Sequence, residues 1–314
     1  MEHWQLKQLQ SLPLDIKILK SQQRIKEWYE YFDGNVYVSF SGGKDSTVLL
    51  HLVRELYPEV PAVFADTGLE FPEIKEFVKS INNVVILKPD IGFRQVIERY
   101  GYPVIGKEVA SCVEGARKGQ VYRINRFNGT LKNKDGAKSR YDISKYKYLL
   151  DAPFKISDKC CNEMKKKPFK KYEKLTGNKP IIGTMTEESQ LRQQSWLKTG
   201  CNSFDSKRPS STPLSFWKEE DIWEYLKTKN IPYSTIYDMG YKRTGCVFCA
   251  FGAHCEKGLN RFQRLQKTHP KLHEYCMREW GNGGLGLKNV LDFIGVESES
   301  NQIDMDEFVA WQLK

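Results

Sequence analysis

Long hydrophobic runs are missing from this sequence, and their absence argues against a membrane-spanning protein. No stretch of the 314 residues approaches the roughly 18 consecutive apolar residues that a transmembrane helix requires. The N-terminal stretch, MEHWQLKQLQ, also lacks the apolar core of a secretory signal peptide. We therefore expect a soluble, cytoplasmic protein whose length suits one large domain or two smaller ones.

The missing secretory signal also bears on the eight cysteines of the chain. Proteins of reducing compartments use cysteines for metal or redox chemistry rather than for disulfide bridges. Cys246 and Cys249 form a C-x-x-C pair, and Cys160 and Cys161 are adjacent. Two thiolates on one tight turn can share a metal centre, and a second pair can complete its four ligands. Zinc and a [4Fe–4S] cluster both suit this set, and unrelated buried thiols are the competing interpretation.

The Walker phosphate-binding pattern, G-x-x-x-x-G-K-[ST], is missing as well. In its place VYVSFSGGKDSTVLLHL, residues 36–52, leads from an apolar strand through two glycines into an apolar helix. Glycines let the backbone turn sharply toward a ligand, and the helix directs unpaired N–H groups at the same point. This order predicts a phosphate cradle with Ser41, Lys44 and Ser46 as donors, which Asp45 approaches through magnesium. An ordinary glycine turn with a capped helix start is the competing interpretation.

Strands and helices alternate through the first third of the chain. VYVSF, AVFADTG and VVILKP are typical strands, each followed by a helical segment, and KPIIGTM at 179–185 is a later core strand. This alternation predicts an α/β fold, with a parallel twisted sheet and helices on both faces. Ligands of such sheets bind at the carboxyl ends of the strands. The glycine turn lies at the end of one predicted strand, and Asp66, Thr67 and Gly68 lie at the end of another. The two turns can therefore face one pocket.

Three segments are expected along the chain. Residues 1–34 are predicted to form N-terminal helices, residues 35–211 a nucleotide-binding α/β domain, and residues 212–314 a helical region that carries the C-x-x-C motif. A polar, basic and irregular insertion is expected at about residues 106–160. Within it, NGTLKNKDGAKS has the composition of a loop or hairpin tip.

The positive charge of the chain is concentrated in one block. The net charge is +10, and residues 101–175 hold 19 Lys and Arg against 8 Asp and Glu, so the remaining residues are close to neutral. Tyrosine and phenylalanine residues are interleaved with these cations. The block predicts contact with DNA, tRNA or a polyanionic nucleotide, and a solvated basic face is the equal alternative.

Several motifs carry a resemblance to a known family. The S-G-G-K-D-S turn at 41–46 resembles the loop of the PP-loop ATP pyrophosphatases, which cleave ATP between its α and β phosphates. GTMTEESQLR at 183–192 and the segment from PLSFW to the C-x-x-C pair resemble motifs of the phosphoadenylylsulfate (PAPS) reductase family within that superfamily. Adjacent cysteines followed by C-x-x-C resemble its adenylylsulfate reductases, which carry a [4Fe–4S] cluster.

The resemblance implies an adenine nucleotide alpha hydrolase-like, Rossmann-like fold and a set of site residues. The pyrophosphate end of the nucleotide would be held by Ser41, Gly42, Gly43, Asp45 and Ser46. Asp66, Thr67 and Gly68 would extend the nucleotide site. The cluster would be held by Cys160, Cys161, Cys246 and Cys249, with Cys255 as a competing ligand.

The departures from the reductase pattern favour a different substrate. The loop is intact, whereas reductases generally have a degraded loop because PAPS has no β,γ-pyrophosphate. Met185 stands where the family motif has an arginine, and the segment VESESNQIDMDEFVAWQLK has no cysteine where reductases have E-C-G-x-H. The chain therefore looks more like the sulfur-transfer members, such as the protein of DNA phosphorothioation or tRNA-thiolating enzymes.

The leading hypothesis is an ATP-dependent enzyme with an iron–sulfur cluster that adenylates its acceptor or transfers sulfur, with a sulfur donor protein as a partner. Asp45 and Asp66 would hold magnesium, while Lys44 and Arg192 would stabilise phosphate charge. An assimilatory adenylylsulfate or PAPS reductase is the first alternative. The second is a non-catalytic nucleotide-binding subunit of a nucleic-acid modification or defence complex.

The four remaining cysteines, Cys112, Cys201, Cys255 and Cys276, are candidates for carrying sulfur as a nucleophile. Cys112 and Cys201 both lie in polar, lysine-rich stretches of sequence. Neighbouring positive charge lowers the pKa of a thiol and makes it more reactive. The sequence therefore predicts lowered pKa values for both, although a structural role is the more common one for a single cysteine.

Overall fold

The computed structural model describes residues 1–300, which form two compact units. Unit 1 comprises Met1–Asp90 and Lys165–Thr244, and unit 2 comprises Ile91–Met164 and the chain from Gly245 onward. The polypeptide therefore leaves unit 1 and returns to it before it completes unit 2. The bounds of these units differ from those of the three segments expected from the sequence. The three segments stay a prediction about domain organisation.

The regular elements are numbered in chain order. The α-helices of the described residues are α1 (His3–Gln10), α2 (Leu14–Tyr31), α3 (Lys44–Leu56), α4 (Pro72–Lys79), α5 (Phe93–Tyr100), α6 (Lys107–Arg117), α7 (Val121–Asn128), α8 (Lys167–Thr176), α9 (Gln190–Thr199), α10 (Glu219–Thr228), α11 (Arg261–Thr268), α12 (Pro270–Met277) and α13 (Leu287–Phe293). The strands are β1 (Val36–Phe40), β2 (Ala62–Ala65), β3 (Val84–Leu87), β4 (Val104–Ile105), β5 (Lys179–Ile182), β6 (Asn202–Ser203), β7 (Ser210–Ser211) and β8 (Ala250–Phe251). None of these helices is long and apolar enough to span a membrane.

Unit 1 is built on a six-stranded sheet with the order β3-β2-β1-β5-β7-β6. All neighbouring strands are parallel except β6 and β7. Val38 at the centre of β1 lies opposite Ala62 of β2 and Ile181 of β5, and all three side chains are fully buried. Such continuous apolar strands are stable where helices cover both faces of a parallel sheet. The predicted α/β fold class is confirmed.

The strand order reverses at β1. The chain proceeds from β1 to β2 and β3 on one side, whereas β5 and β7 extend the sheet on the other side. Loops that leave such a switch point in opposite directions open a crevice at the carboxyl ends of the two strands. The turn after β1 and the segment after β5 border this crevice.

A buried ion pair joins α2 to α10 inside unit 1. Lys17 Nζ lies 2.8 and 2.6 Å from the two carboxylate oxygens of Asp221, and both side chains are almost fully buried. Asp221 Oδ2 also accepts a hydrogen bond of 2.7 Å from the backbone N–H of Lys218. The pair thus connects α2 to the first turn of α10.

Unit 2 contains α5–α7 and α11–α13, with a short parallel pairing of β4 and β8. The expectation of an irregular stretch at 106–160 is wrong for its first half, because α6 and α7 occupy it. Lysine, arginine and glycine residues dilute the apolar periodicity of these helices, yet α6 buries Val109, Val113 and Ala116. The hairpin tip is confirmed, since Lys132 and Lys138 form an antiparallel bridge.

Candidate nucleotide site and cysteine group

The turn after β1 requires glycine at its second position. Gly42 has a φ of +72°, a conformation that side chains disfavour. A Cβ atom there would lie 2.9 Å from the Cγ2 atoms of both Ile74 and Val78 on α4. The backbone therefore packs directly against α4, and the chain turns into α3 without a side chain in the way.

Gly43 lets the side chains of Tyr237 and Thr244 come close to the start of α3. It occupies the N-cap position, so no side chain caps the helix. A Cβ atom at Gly43 would lie 2.9 Å from Thr244 Oγ1 and 3.1 Å from the Tyr237 hydroxyl oxygen. The Tyr237 hydroxyl accepts a 2.8 Å hydrogen bond from the backbone N–H of Lys44. Tyr237 and Thr244 are residues of this site that the sequence did not reveal, because they lie about 200 positions along the chain.

The two serines of the turn, Ser41 and Ser46, are hydrogen-bonded to each other. The Ser41 and Ser46 hydroxyl oxygens are 3.0 Å apart, and the Ser41 N–H donates to Ser46 Oγ at 3.2 Å. Ser46 Oγ also donates to the carbonyl oxygen of Gly43 at 2.9 Å. These hydrogen bonds hold the turn in shape, and rotation of the hydroxyls would make them available to a ligand.

Lys44 and Asp45 place opposite charges beside the turn. Lys44 is buried, and its Nζ lies 3.4 Å from Asp45 Oδ1 and 3.4 Å from Glu219 Oε1. Burial raises the pKa of Asp45, although the adjacent Lys44 charge opposes the shift. Asp45 Oδ1 is buried, and its 3.4 Å contact with Lys44 Nζ is long for a hydrogen bond. A carboxylate oxygen left in this state suits a hard cation such as magnesium.

The segment after β5 approaches the same turn. A Cβ atom at Gly183 would lie 3.0 Å from the carbonyl oxygen of Asp45 and 3.2 Å from the Cα of Ser46. Only a residue without a side chain allows the backbones after β1 and β5 to come this close. The G-x-M-x-x-E-S motif therefore begins against the glycine turn.

Arg192 lies at the edge of this charged group. It forms an ion pair with Glu188, which Arg243 also approaches at 3.9 Å. Burial lowers the pKa of Arg192, and the charge of Arg243 lowers it further while Asp45 opposes the shift. The structure thus brings Arg192, Lys44 and Asp45 into one electrostatic group. Arg243 and Glu219 are additional members that the sequence did not reveal.

In the Asp66-Thr67-Gly68 turn, Asp66 and Thr67 already have polar partners within unit 1. Asp66 Oδ1 lies 2.7 Å from Lys75 Nζ, and Thr67 donates hydrogen bonds to the Glu70 carboxylate from its N–H and its hydroxyl. Partial burial alone would raise the pKa of Asp66, but the hydrogen bond and charge of Lys75 outweigh it and lower the pKa. Gly68 has open space around it and a φ of +74°. Participation of these residues in nucleotide or magnesium binding stays a prediction.

The four candidate cluster cysteines all belong to unit 2. Cys160 is buried and the other three are half-buried. Cys249 donates its N–H to the Cys246 carbonyl at 3.1 Å, which closes the C-x-x-C turn. Burial raises the pKa of Cys249 to about 11, and the charges of Cys246 and Cys161 contribute to the shift. Folding therefore brings these three sulfurs within electrostatic range, although the two pairs are about 85 residues apart.

The donor chemistry of this group fits a metal centre. Thiolates that are buried together repel each other, and a cationic cluster removes that cost. In the part of the chain that the structure describes, no three His, Cys, Asp or Glu side chains are close enough to hold a metal ion. Ligation by Cys160, Cys161, Cys246 and Cys249 stays a prediction.

The pKa values predicted for Cys112 and Cys201 are wrong in direction. Burial raises the pKa of Cys112, although Arg126 Nη1 lies 3.0 Å from its sulfur and opposes the shift. Burial likewise raises the pKa of Cys201, whose sulfur lies 3.2 Å from Ser215 Oγ. Lysines that are close in sequence do not offset the loss of water around a buried thiol.

A mostly parallel α/β sheet with a glycine-rich turn at its switch point is the architecture of the Rossmann-like class of folds. The model of the phosphoadenosine phosphosulfate reductase domain matches residues 35–114 and 115–251. The chain belongs to the phosphoadenosine phosphosulfate reductase family, which confirms the resemblance seen in its motifs.

Individual relatives are similar at moderate identity. An adenosine 5′-phosphosulfate reductase of Lysinibacillus sphaericus is 24% identical over 78% of this chain and 87% of its own length. An uncharacterized protein of Methanocaldococcus jannaschii is 27% identical over 81% of this chain, which spans only half of that protein. A phosphoadenylyl-sulfate reductase structure from Candida auris is 16% identical, covers 78% of this chain and 96% of its own, and has a TM-score of 0.45. That score is too low to support a conclusion about function.

Proposed function

We propose that this protein is a cytoplasmic enzyme of sulfur metabolism or nucleic-acid thio-modification that binds ATP with magnesium and transfers sulfur. The observation that carries the proposal is the intact S-G-G-K-D-S turn at the sheet's switch point. Gly42 and Gly43 place no side chain of their own at the start of α3, and Gly43 provides no side-chain cap. Helix starts of this kind bind the phosphates of nucleotides.

The charged residues of unit 1 have separate roles in this proposal. Asp45 would hold magnesium, while Ser41 and Ser46 would donate hydroxyl hydrogen bonds to phosphate oxygens. Lys44 and Arg192 stabilise negative charge that develops on the phosphates. Bound magnesium supplies neutralisation of the pyrophosphate. Asp66, Thr67 and Gly68 extend the same site on the neighbouring strand.

The cysteine group of unit 2 is proposed to hold a [4Fe–4S] cluster. Its ligands are Cys160, Cys161, Cys246 and Cys249, three of which already interact electrostatically. When bound, the cluster supplies a redox or sulfur-binding centre. Zinc is the alternative metal, and iron and sulfide analysis of protein purified without oxygen separates the two.

Calorimetric titration tests the nucleotide proposal. ATP should bind in the presence of magnesium and weaken with a chelator, and Asp45→Asn should reduce affinity by about thirtyfold or more, since a charge-assisted contact contributes roughly 2 kcal/mol. Asp205→Asn, which changes an exposed carboxylate of the same unit, should leave the affinity unchanged. Tighter binding of PAPS or adenylylsulfate, indifferent to magnesium and to Asp45→Asn, would contradict the proposal.

An assimilatory sulfonucleotide reductase is the second candidate. It is favoured by the adenosine 5′-phosphosulfate reductase of which this chain covers 87%. Release of sulfite from adenylylsulfate or PAPS with thioredoxin as reductant would establish it. If neither sulfite nor pyrophosphate is released with any acceptor, the protein is a nucleotide-binding subunit without turnover.

A nucleic-acid partner is proposed for the basic segment of unit 2 at residues 121–148. This segment contains eight Lys and Arg but two Asp and Glu. Tyr122, Tyr141 and Tyr148 are exposed on it, at 57%, 43% and 39% of their maximal area. Cations and exposed aromatic rings together favour single-stranded nucleic acid, whose bases stack on the rings.

A further inference from the structure

The Tyr237 hydroxyl is hydrogen-bonded to the first N–H group of α3. Its oxygen accepts a 2.8 Å hydrogen bond from the backbone N–H of Lys44, the first residue of that helix. Gly43, at the N-cap position, has no side chain that could make this bond. The N–H groups at a helix start are the donors that a phosphate oxygen uses. A phenol oxygen therefore lies where a ligand oxygen would accept the Lys44 hydrogen bond.

The same tyrosine also contacts the charge of Lys44. The Nζ atom of this buried lysine lies 5.6 Å from the centroid of the Tyr237 ring, a cation–π distance. Nζ is also 3.4 Å from the carbonyl oxygen of Lys242. The backbone N–H and the ammonium group of Lys44 thus both have partners on the chain between Tyr237 and Lys242.

Packing fixes the position of the hydroxyl. The Tyr237 ring meets the rings of Trp223 and Tyr233 edge to face, at centroid distances of 5.6 and 6.3 Å. The hydroxyl oxygen lies 3.4 Å from Thr244 Oγ1, to which it can donate its proton while it accepts the Lys44 hydrogen bond. All of these residues belong to unit 1. The contact with α3 is therefore a built feature of this unit.

A phosphate group can replace this hydroxyl. Burial raises the pKa of Tyr237, so its hydroxyl is neutral at physiological pH. A phosphate oxygen is negatively charged, and charge-assisted hydrogen bonds are about twice as strong as neutral ones. Tyr237 ends the one-turn 3₁₀ helix Thr235–Tyr237, and residues 238–240 after it are exposed. The ring can therefore move aside without a shift of the sheet.

We propose that the Tyr237 hydroxyl competes with phosphate for the start of α3 and thereby sets the affinity of the site. This inference rests on the proposed function and deepens it, because it concerns the regulation of the same turn. A ligand must replace the hydroxyl at the Lys44 N–H. The pyrophosphate group of ATP, with its magnesium, does this through its charge, whereas an uncharged ligand oxygen gains little over the phenol. The tyrosine therefore makes the turn selective for anions.

Calorimetric titration of the full-length protein tests the competition. Tyr237→Phe keeps the ring but removes the hydroxyl, so the variant should bind magnesium–ATP about threefold to tenfold more tightly than the wild type, the usual contribution of one hydrogen bond. The gain should be the same for inorganic pyrophosphate with magnesium, because the competition concerns the phosphate turn. Tyr233→Phe is the matched control. It removes a hydroxyl that donates to Asp238 at 3.1 Å and should leave both affinities unchanged.

Hydrogen exchange of the Lys44 amide, followed by NMR, provides a second readout. Without ligand this amide should exchange faster in Tyr237→Phe than in the wild type, and saturation with magnesium–ATP should protect it in both. Weaker nucleotide binding by Tyr237→Phe would make Tyr237 a ligand contact and overturn the inference, as would unchanged binding or unchanged exchange. In those cases ATP binding by the wild type still supports the proposed function. If neither protein binds ATP or pyrophosphate, the proposed function fails, and the competition fails with it.

Discussion

Breaking the buried ion pair between Lys17 and Asp221 should strongly destabilise unit 1. Lys17→Met keeps the length of the side chain but removes its charge, which leaves Asp221 with the Lys218 N–H as its remaining hydrogen-bond donor. The relative exposure of Lys17 is 2% and that of Asp221 is 5%, so water cannot replace the lost partner. An uncompensated buried charge of this kind costs about 3–5 kcal/mol.

The free energy of unfolding should fall by that amount. At roughly 2–4 °C for each kcal/mol, the midpoint of thermal unfolding of unit 1 should fall by about 10 °C. Urea unfolding followed by tryptophan fluorescence measures the effect. Trp217 is a suitable reporter, because its Nε1 donates a 2.9 Å hydrogen bond to Ser21 on the same helix as Lys17.

Two further variants test whether the unpaired charge of Asp221 causes the loss of stability. Lys20→Met changes an exposed lysine of α2 and should alter stability little. Lys17→Met/Asp221→Asn removes both charges, while the amide oxygen of the introduced asparagine can still accept the Lys218 hydrogen bond, so it should recover more than half of the loss. If the double variant is no more stable than Lys17→Met, or if Lys17→Met matches Lys20→Met, an unpaired buried charge is not the cause.

Three other predictions concern the site. Gly43→Ala should weaken ATP binding in calorimetry, because its Cβ would lie 2.9 Å from Thr244 Oγ1, whereas Gly106→Ala meets open space and should bind normally; equal binding by both would contradict the role of the turn. Cys249→Ser should lose iron and the brown absorbance of a cluster, and one zinc without iron in the wild type would show that the cluster assignment is wrong. Tyr122→Ala should weaken binding of single-stranded nucleic acid, and log affinity should fall linearly with log salt; no binding at low salt would leave the basic segment at residues 121–148 as a solvated face.

Local features of the sequence determined the glycine turn after β1. The strand VYVSF, the two glycines and the apolar helix are contiguous, so their order alone predicts β1, the turn and α3. Backbone conformation at Gly42 and the helix start depend mainly on neighbouring residues. For the same reason the alternation of strands and helices predicted the parallel sheet.

Tertiary structure decided which residues complete each site and what their environment is. Tyr237 and Thr244 reach Gly43, and Cys161 comes near Cys249, only because segments distant in sequence fold together. The basic residues close to Cys112 in sequence predicted a lowered pKa for its thiol, whereas burial raises that pKa. Burial depends on everything that packs around a group, and the cost of removing water from a charge exceeds the effect of cations that are close only in sequence. The order of strand, turn and helix could therefore be predicted from neighbouring residues. The burial of each group and its contacts with distant segments depend on the tertiary structure.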